Sequence, residues 1–392
     1  MNRKNAKIIG IITVTSYVAN YFLRNMLGVL TPAMLKTTSY TKEYIALLSS
    51  SYMITYAAGQ LLNGILGDIL KPGKMVLTGL LAAGTVMIAF PFIGKGVLQV
   101  TCFLILGYSL SMLRGPLMKV ITENTVPDHA RIICVFFSFS SFAGPLIASI
   151  LAMIFHWRTA FVAAGIITVL VGTGAYSALS YLENKEIVSC RRLSYVTFSS
   201  LLEVFKIEGI WFYLIIVSLA EVFGTTLEFW MPTMLNEYIL LDESTSNFIF
   251  SVIAFITAIV PFAALAIYKL FHEKDVQLIR VAFLVVTVSF AGMMVIPVGI
   301  VKVVLLLTIR VMNGFISALL WSIYIPGLGK TGRVSSINGI MDCTGYLAAS
   351  VATTVFAYAV TNLGWNGSIM VWVLISAMGI VATFMKKEEA TK

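Results

Sequence analysis

Apolar runs of about 20 to 30 residues follow one another along nearly the whole chain, and their plan repeats once, about 200 residues on. Leu30-Thr31-Pro32-Ala33-Met34-Leu35 returns as Trp230-Met231-Pro232-Thr233-Met234-Leu235. Leu106-Gly107-Tyr108-Ser109-Leu110-Ser111-Met112-Leu113 returns as Asn313-Gly314-Phe315-Ile316-Ser317-Ala318-Leu319-Leu320, and His156-Trp157-Arg158 and Gly364-Trp365-Asn366 fall at corresponding joints. Runs this long, without polar alternation, read as helices that cross about 30 Å of hydrocarbon. The spans lie near 8–35, 43–70, 75–94, 97–119, 132–155, 159–182, 209–237, 245–269, 278–299, 302–325, 332–361 and 366–385. This predicts an all-α membrane protein with twelve transmembrane helices in two pseudo-symmetric six-helix bundles, 1–182 and 209–392, joined by a cytoplasmic linker over 183–208. Repeated halves of membrane helices are the sequence mark of secondary transporters, with a substrate site near the bilayer midplane.

Composition supports lipid as the solvent. Apolar residues make up 59% of the chain and charged residues 11%, where a soluble domain carries about a quarter charged. The net charge of +9 would suit nucleic acid, but its distribution excludes that partner. With the N-terminus inside, Lys and Arg concentrate in the cytoplasmic loops and ends, and the outer side holds only Lys36, Lys42, Lys95, Arg158 and Lys302. This is the positive-inside asymmetry of a multi-pass plasma (inner) membrane protein with both termini cytoplasmic. The first span is long, carries Arg24 and lacks a small-residue cleavage site, so it is not expected to be a cleaved signal.

Several function classes drop out. Cys102, Cys134, Cys190 and Cys343 lack paired spacing, so no disulfide framework or metal cluster is expected. The linker is too short for a nucleotide-binding domain and no Walker-type loop occurs, which disfavours an ATP-driven pump. No nucleophile–base constellation points to an enzyme, and no cofactor is implied. The expected partners are the bilayer, a small anionic substrate and a coupling ion, either protons or inorganic phosphate, in a monomer.

Charges inside the spans mark the candidate site. Arg24 lies about 24 Å along the first span at about 1.5 Å per residue, near mid-bilayer. Exposing it there costs several kcal/mol, so it should face the cavity, either as a fork on a substrate carboxylate or phosphate or in an internal ion pair. Arg114, before Gly115-Pro116, is a second positive charge for substrate, or a helix-kink residue paired near the cytoplasmic gate. Glu221 and Glu228 stand two turns apart on one face of span 7, with Thr225 between them. They can neutralise Arg24 and Arg114 in the empty site, couple transport to protons, or hold a gate, Glu228 being nearer the outside. Asp342 is a further proton-site candidate, with Arg310 as the expected partner of Asp342 or Glu228. Tyr17, Tyr21, Asn20, Tyr56, Gln60, Tyr108, Asn313, Trp321 and Tyr346 are cavity-lining candidates, or polar contacts between helices worth about 1 kcal/mol each.

Gly64-Ile65-Leu66-Gly67-Asp68-Ile69-Leu70-Lys71-Pro72-Gly73-Lys74 resembles the signature loop of the major facilitator superfamily, and His156-Trp157-Arg158-Thr159-Ala160-Phe161 its joint between helices 5 and 6. The resemblance implies the major facilitator fold, with Asp68 capping or pairing with a neighbouring helix end to stabilise one conformer. Within the superfamily, Tyr21-Phe22-Leu23-Arg24 with Pro32, Trp230-Met231-Pro232-Thr233, Gly345-Tyr346-Leu347 and Gly364-Trp365-Asn366-Gly367 are similar to the organophosphate:phosphate antiporters, which carry glycerol 3-phosphate and hexose phosphates. Arg24 matches that family's first-helix arginine, which grips phosphate. The helix-7 partner arginine falls at Gly224, the helix-2 lysine at Gln60 and the helix-5 histidine at Ser140. The expectation is a carrier of a phosphorylated or carboxylated metabolite, working by alternating access. The rival readings are a proton-driven exporter of amphipathic compounds and a sensor that has lost transport.

Overall fold

The computed structural model describes residues 3–37, 40–193, 203–271 and 274–386; both chain ends and positions 194–202 of the expected linker lie outside them. Its helices are α1 Arg3–Thr37, α2 Lys42–Ile69, α3 Pro72–Ala89, α4 Val97–Ser111, α5 Arg114–Asn124, α6 Pro127–Ile154, α7 Trp157–Asn184, α8 Ile210–Glu237, α9 Glu243–Leu270, α10 Asp275–Val295, α11 Gly299–Ala318 and α12 Val334–Ala382. No strand occurs among the described residues. Successive α4 and α5 make one crossing. Gly364, at φ 66 and ψ −174, breaks α12 into two, so the chain makes the twelve crossings expected. Ten of the segments are long and apolar enough to span a membrane by themselves. Large apolar side chains such as Phe92, Val97, Met153 and Val295 are more than three-quarters exposed, as a lipid-facing surface requires.

Local chemistry sets the ends. Thr41 caps α2 by accepting from the Tyr44 N–H at 3.3 Å, and Asp242 caps α9 by accepting from the Thr245 N–H at 2.9 Å. Pro72 and Pro127 open α3 and α6, where a missing N–H costs nothing.

One feature differs from the continuous spans expected at 97–119 and 302–325. The fourth crossing of each repeat is interrupted, at equivalent places. α4 stops at Ser111 and α5 starts at Arg114; α11 stops at Ala318 and continues as a π-helical turn over Leu319–Tyr324. Ser111 and Ala318 occupy the same position in the repeated sequence. A proline follows in each case, Pro116 or Pro326, and cannot bond the carbonyl four residues back, so the ladder loosens just before it. Asn20 of α1 donates to the Leu110 carbonyl at 2.7 Å beside the first break, and Asn63 of α2 donates to Ser111 Oγ at 2.7 Å. These amides satisfy polar groups that lipid cannot.

The chain divides into two compact units: Met1–Val204 with Ile325–Cys343, and Phe205–Tyr324 with Thr344–Lys392. The start of α12 therefore packs within the first unit, although it lies in the second repeat. The first unit's core holds Phe90 edge-on to Phe103 and Phe161, with centroids 5.2 and 5.0 Å away. The second unit's core stacks Trp372 between Phe290 and Phe356 at 5.2 and 4.2 Å, and Trp372 Nε1 donates to Thr226 Oγ1 at 2.9 Å.

Candidate functional site: a cationic cavity and its charge network

In the first unit, Arg24 is half-buried on α1. Its guanidinium carbon lies 5.6 Å from the ring centre of Tyr21, one turn back, and 5.2 Å from that of Tyr56 on α2. Two aromatic faces thus hold the cation by its quadrupole attraction while leaving its planar fork directional. Arg24 forms part of the wall of a cavity of about 460 Å³, with Asn25, Thr31, Ser49, Tyr52 and Phe103 among its neighbours. The cavity is shaped by α1, α2 and α4.

Asp68 and Lys119 form a fully buried pair, both at 0% exposure, with Nζ 3.1 Å from Oδ1. Asp68 also accepts from the backbone N–H groups of Ser335 at 3.3 Å and Ser336 at 2.8 Å. The carboxylate is therefore a cap supplied from α2 to the first turn of α12, where the helix dipole favours a negative charge. Gly64 and Gly339 let α2 and the start of α12 approach closely: a Cβ on Gly339 would strike the Gln60 carbonyl and lie 2.9 Å from the Gly64 Cα.

Deeper in the same unit, Arg114 donates to Asp342 Oδ1 at 2.8 Å, and Asn338, one turn back on α12, donates to Oδ2 at 3.0 Å. The Asp342 side chain is 3% exposed and the Arg114 side chain 13%. Arg24 adds its positive field at Asp342. Arg114 is thus bonded to a carboxylate from α12.

In the second unit, Glu228 accepts from Arg310 at 2.8 Å, and the same guanidinium donates to the Gly224 carbonyl at 3.1 Å. This settles the two partners left open for Arg310. Glu221 accepts from Thr225 Oγ1 at 3.4 Å and packs beside Gly345 of α12. A Cβ at 224 would lie 2.4 Å from Asn313 Nδ2, so a side chain there requires the Asn313 amide to move aside.

Two residues expected at the cavity are buried where helices meet. Tyr17 is 2% exposed and stacks flat on Phe137 of α6 at 3.8 Å, filling the α1–α6 contact. Gln60 is 1% exposed at the α2–α12 crossing. Asn20 is buried and bonded to the α4 break, as above. Sequence reasoning did not single out Lys119 or Asn338 for a role. A lysine inside an apolar run, soon after Gly115-Pro116, was the available signal for the first; the one-turn spacing from Asp342 was the only signal for the second.

A model of the Major Facilitator Superfamily matches residues 13–352. The chain belongs to that superfamily. Among solved structures it is similar to the transporter FucP in its outward conformation, at 12% identity and a TM-score of 0.73, over 98% of this chain and 100% of that one. It is similar to the human organic anion transporter MFSD10, at 13% identity and a TM-score of 0.71, over 97% and 99%. It is also similar to a bacterial homologue of the iron transporter ferroportin, at 13% identity and a TM-score of 0.74, over 96% and 98%. At such identities these likenesses concern the fold alone. Membership of the superfamily supports secondary transport by a multi-pass membrane protein.

Proposed function

We propose that this superfamily member is a secondary active carrier of a small organic anion, working by alternating access with Arg24 as its chief anion-binding group. The observation that carries the reading is the half-buried Arg24 guanidinium, seated on Tyr21 and Tyr56 at the wall of a cavity. An arginine in mid-span is costly to keep, and a planar fork of N–H donors matches a carboxylate or phosphate. The fold does not select the cargo, since the similar structures are described by cargoes as different as fucose, organic anions and iron.

The resemblance to organophosphate:phosphate antiporters favours a phosphorylated metabolite. Gly224, Gln60 and Ser140, buried and neutral, stand where that family's other phosphate ligands would fall, so a carboxylate fits the retained cation equally well. Asp342, held by Arg114 and Asn338 within the first unit, is the proposed proton site; Glu221 is the alternative, and phosphate exchange the alternative mode of coupling. The bundles 1–182 and 209–392 are the proposed moving halves, in the plasma membrane with both ends cytoplasmic.

Thermal-shift measurements on the purified protein with inorganic phosphate, glycerol 3-phosphate and lactate test the reading. At least one anion should stabilise the wild type, and Arg24→Lys, which keeps the charge but loses the fork, should weaken that binding about tenfold or more at unchanged expression. No stabilisation by any of the three, or full binding by Arg24→Lys, would overturn it.

A further inference from the structure

We propose that Arg310 is a second anion-binding group, supplied by the fourth crossing of the second repeat in place of the arginine absent from Gly224, and that Glu228 occupies it until the transported anion takes its place. This rests on the reading of the protein as an anion carrier and names a second residue for that work.

The argument starts from the repeat. Pro32 matches Pro232, so Arg24 matches Gly224; Leu106-Gly107 matches Asn313-Gly314, so Phe103 matches Arg310. In the first unit, Arg24 on the first crossing and Phe103 on the fourth meet at the wall of one cavity. In the second unit, Gly224 and Arg310 meet at the equivalent place, with Arg310 donating to the Gly224 carbonyl at 3.1 Å. Cation and neutral residue have changed helices, yet each unit keeps one guanidinium beside the same pair of positions. The glycine makes the exchange possible. With no side chain at 224, the Gly224 carbonyl is open to Arg310 and the space is taken by Asn313.

Glu228 is the group that gives way. It sits one turn beyond Gly224 and its side chain is 60% exposed, whereas that of Arg310 is 10% exposed. The carboxylate is therefore the accessible partner, which an incoming anion can displace, and the guanidinium the enclosed one. A guanidinium carries five N–H donors, and a single oxygen of Glu228 engages one of them here, an arrangement that an incoming carboxylate or phosphate can replace in kind. Asn313 Oδ1, buried next to Gly224, accepts no hydrogen bond among the described residues and is available to a hydroxyl of the ligand. A purely structural pair would hold α8 to α11 and leave ligand affinity alone.

The two roles separate in one experiment, using the same three anions on Glu228→Gln, Arg310→Gln and Arg24→Lys. Removing the competing carboxylate should tighten binding by the stabilising anion about five-fold, the factor that a partly exposed ion pair supplies. Arg310→Gln should weaken it about tenfold or more. Glu228→Gln with unchanged or weaker affinity overturns the inference, as does Arg310→Gln with wild-type affinity; if Arg24→Lys still loses binding in that case, the anion-carrier reading stands. If wild type binds none of the anions, that reading falls and this one with it. Should Arg310→Gln fail to fold, Glu228→Gln decides alone.

Discussion

A buried lysine and a buried aspartate can be removed one at a time, and the structure makes the two losses unequal. Without Lys119, Asp68 keeps two backbone N–H donors at the start of α12. With Asn at 68, an ammonium remains buried beside an amide whose NH₂ must face either that ammonium or a backbone N–H. Asp68→Asn should therefore cost about 3–5 kcal/mol, the usual cost of breaking a buried pair, and Lys119→Met clearly less. Melting temperatures in detergent check the order; a larger loss for Lys119→Met would show that the ammonium, not the cap, is the better-satisfied partner. Cys190, in the loop after α7, behaves differently from a surface thiol. Burial pushes it up to about 12, against a partial opposing effect of the Asn124 amide, which donates to its sulfur at 3.3 Å. At pH 8 it is a neutral thiol, so alkylation of native protein by iodoacetamide should be slow and rise about tenfold per pH unit as thiolate forms. Peptide mass spectrometry reads that slope; a flat, fast rate would mean an exposed thiolate.

Helices in this protein are placed by what their small residues allow. At the crossing of α2 with the start of α12, backbone rather than side chain limits the approach, so nothing can swing aside for an added methyl. Gly339→Ala should separate the helices and cost about 1–3 kcal/mol. Gly174→Ala in α7, where a Cβ meets nothing within 4 Å, should be neutral or raise stability by up to about 1 kcal/mol through helix propensity. Equal melting temperatures for the two variants would refute the crossing as described. Gly364 has another role: its positive φ turns the chain between the two halves of α12, and Trp365 then donates to Glu237 at 3.1 Å. The shared interruption of the fourth crossing was harder to foresee. Arg114-Gly115-Pro116 marks a kink in the first repeat only, and Pro116 and Pro326 sit at different positions of the repeat, so only the backbone reveals that both loosen the helix at one place.

For the whole molecule, coupling is the property to test. Asp342 is held in the first unit by two partners and lies in the field of Arg24. If it is the proton site, Asp342→Asn in proteoliposomes should abolish accumulation driven by a pH gradient and leave counterflow of the substrate intact. Loss of both would make it part of the binding machinery instead. The same phenotype from Glu221→Gln, with Asp342→Asn unaffected, would move coupling to the second unit.

Span length, apolar continuity and duplication are properties of the chain read in order, which is why twelve crossings, the signature loop around Asp68 and the presence of Arg24 within the first span are legible before any coordinates. Each follows from the cost of placing backbone or charge in hydrocarbon, a cost that hardly depends on what lies alongside. Partners are another matter. Arg114 finds Asp342 across 228 residues and Lys119 finds Asp68 across 51, while Tyr17 and Gln60, polar by type, are buried where helices meet. Which carboxylate meets which cation depends on how α5, α8, α11 and α12 are rotated and how closely glycines let them approach. Only tertiary packing decides that, because a charge in a low-dielectric interior is stabilised by neighbours within a few ångströms, however far off they stand in the sequence.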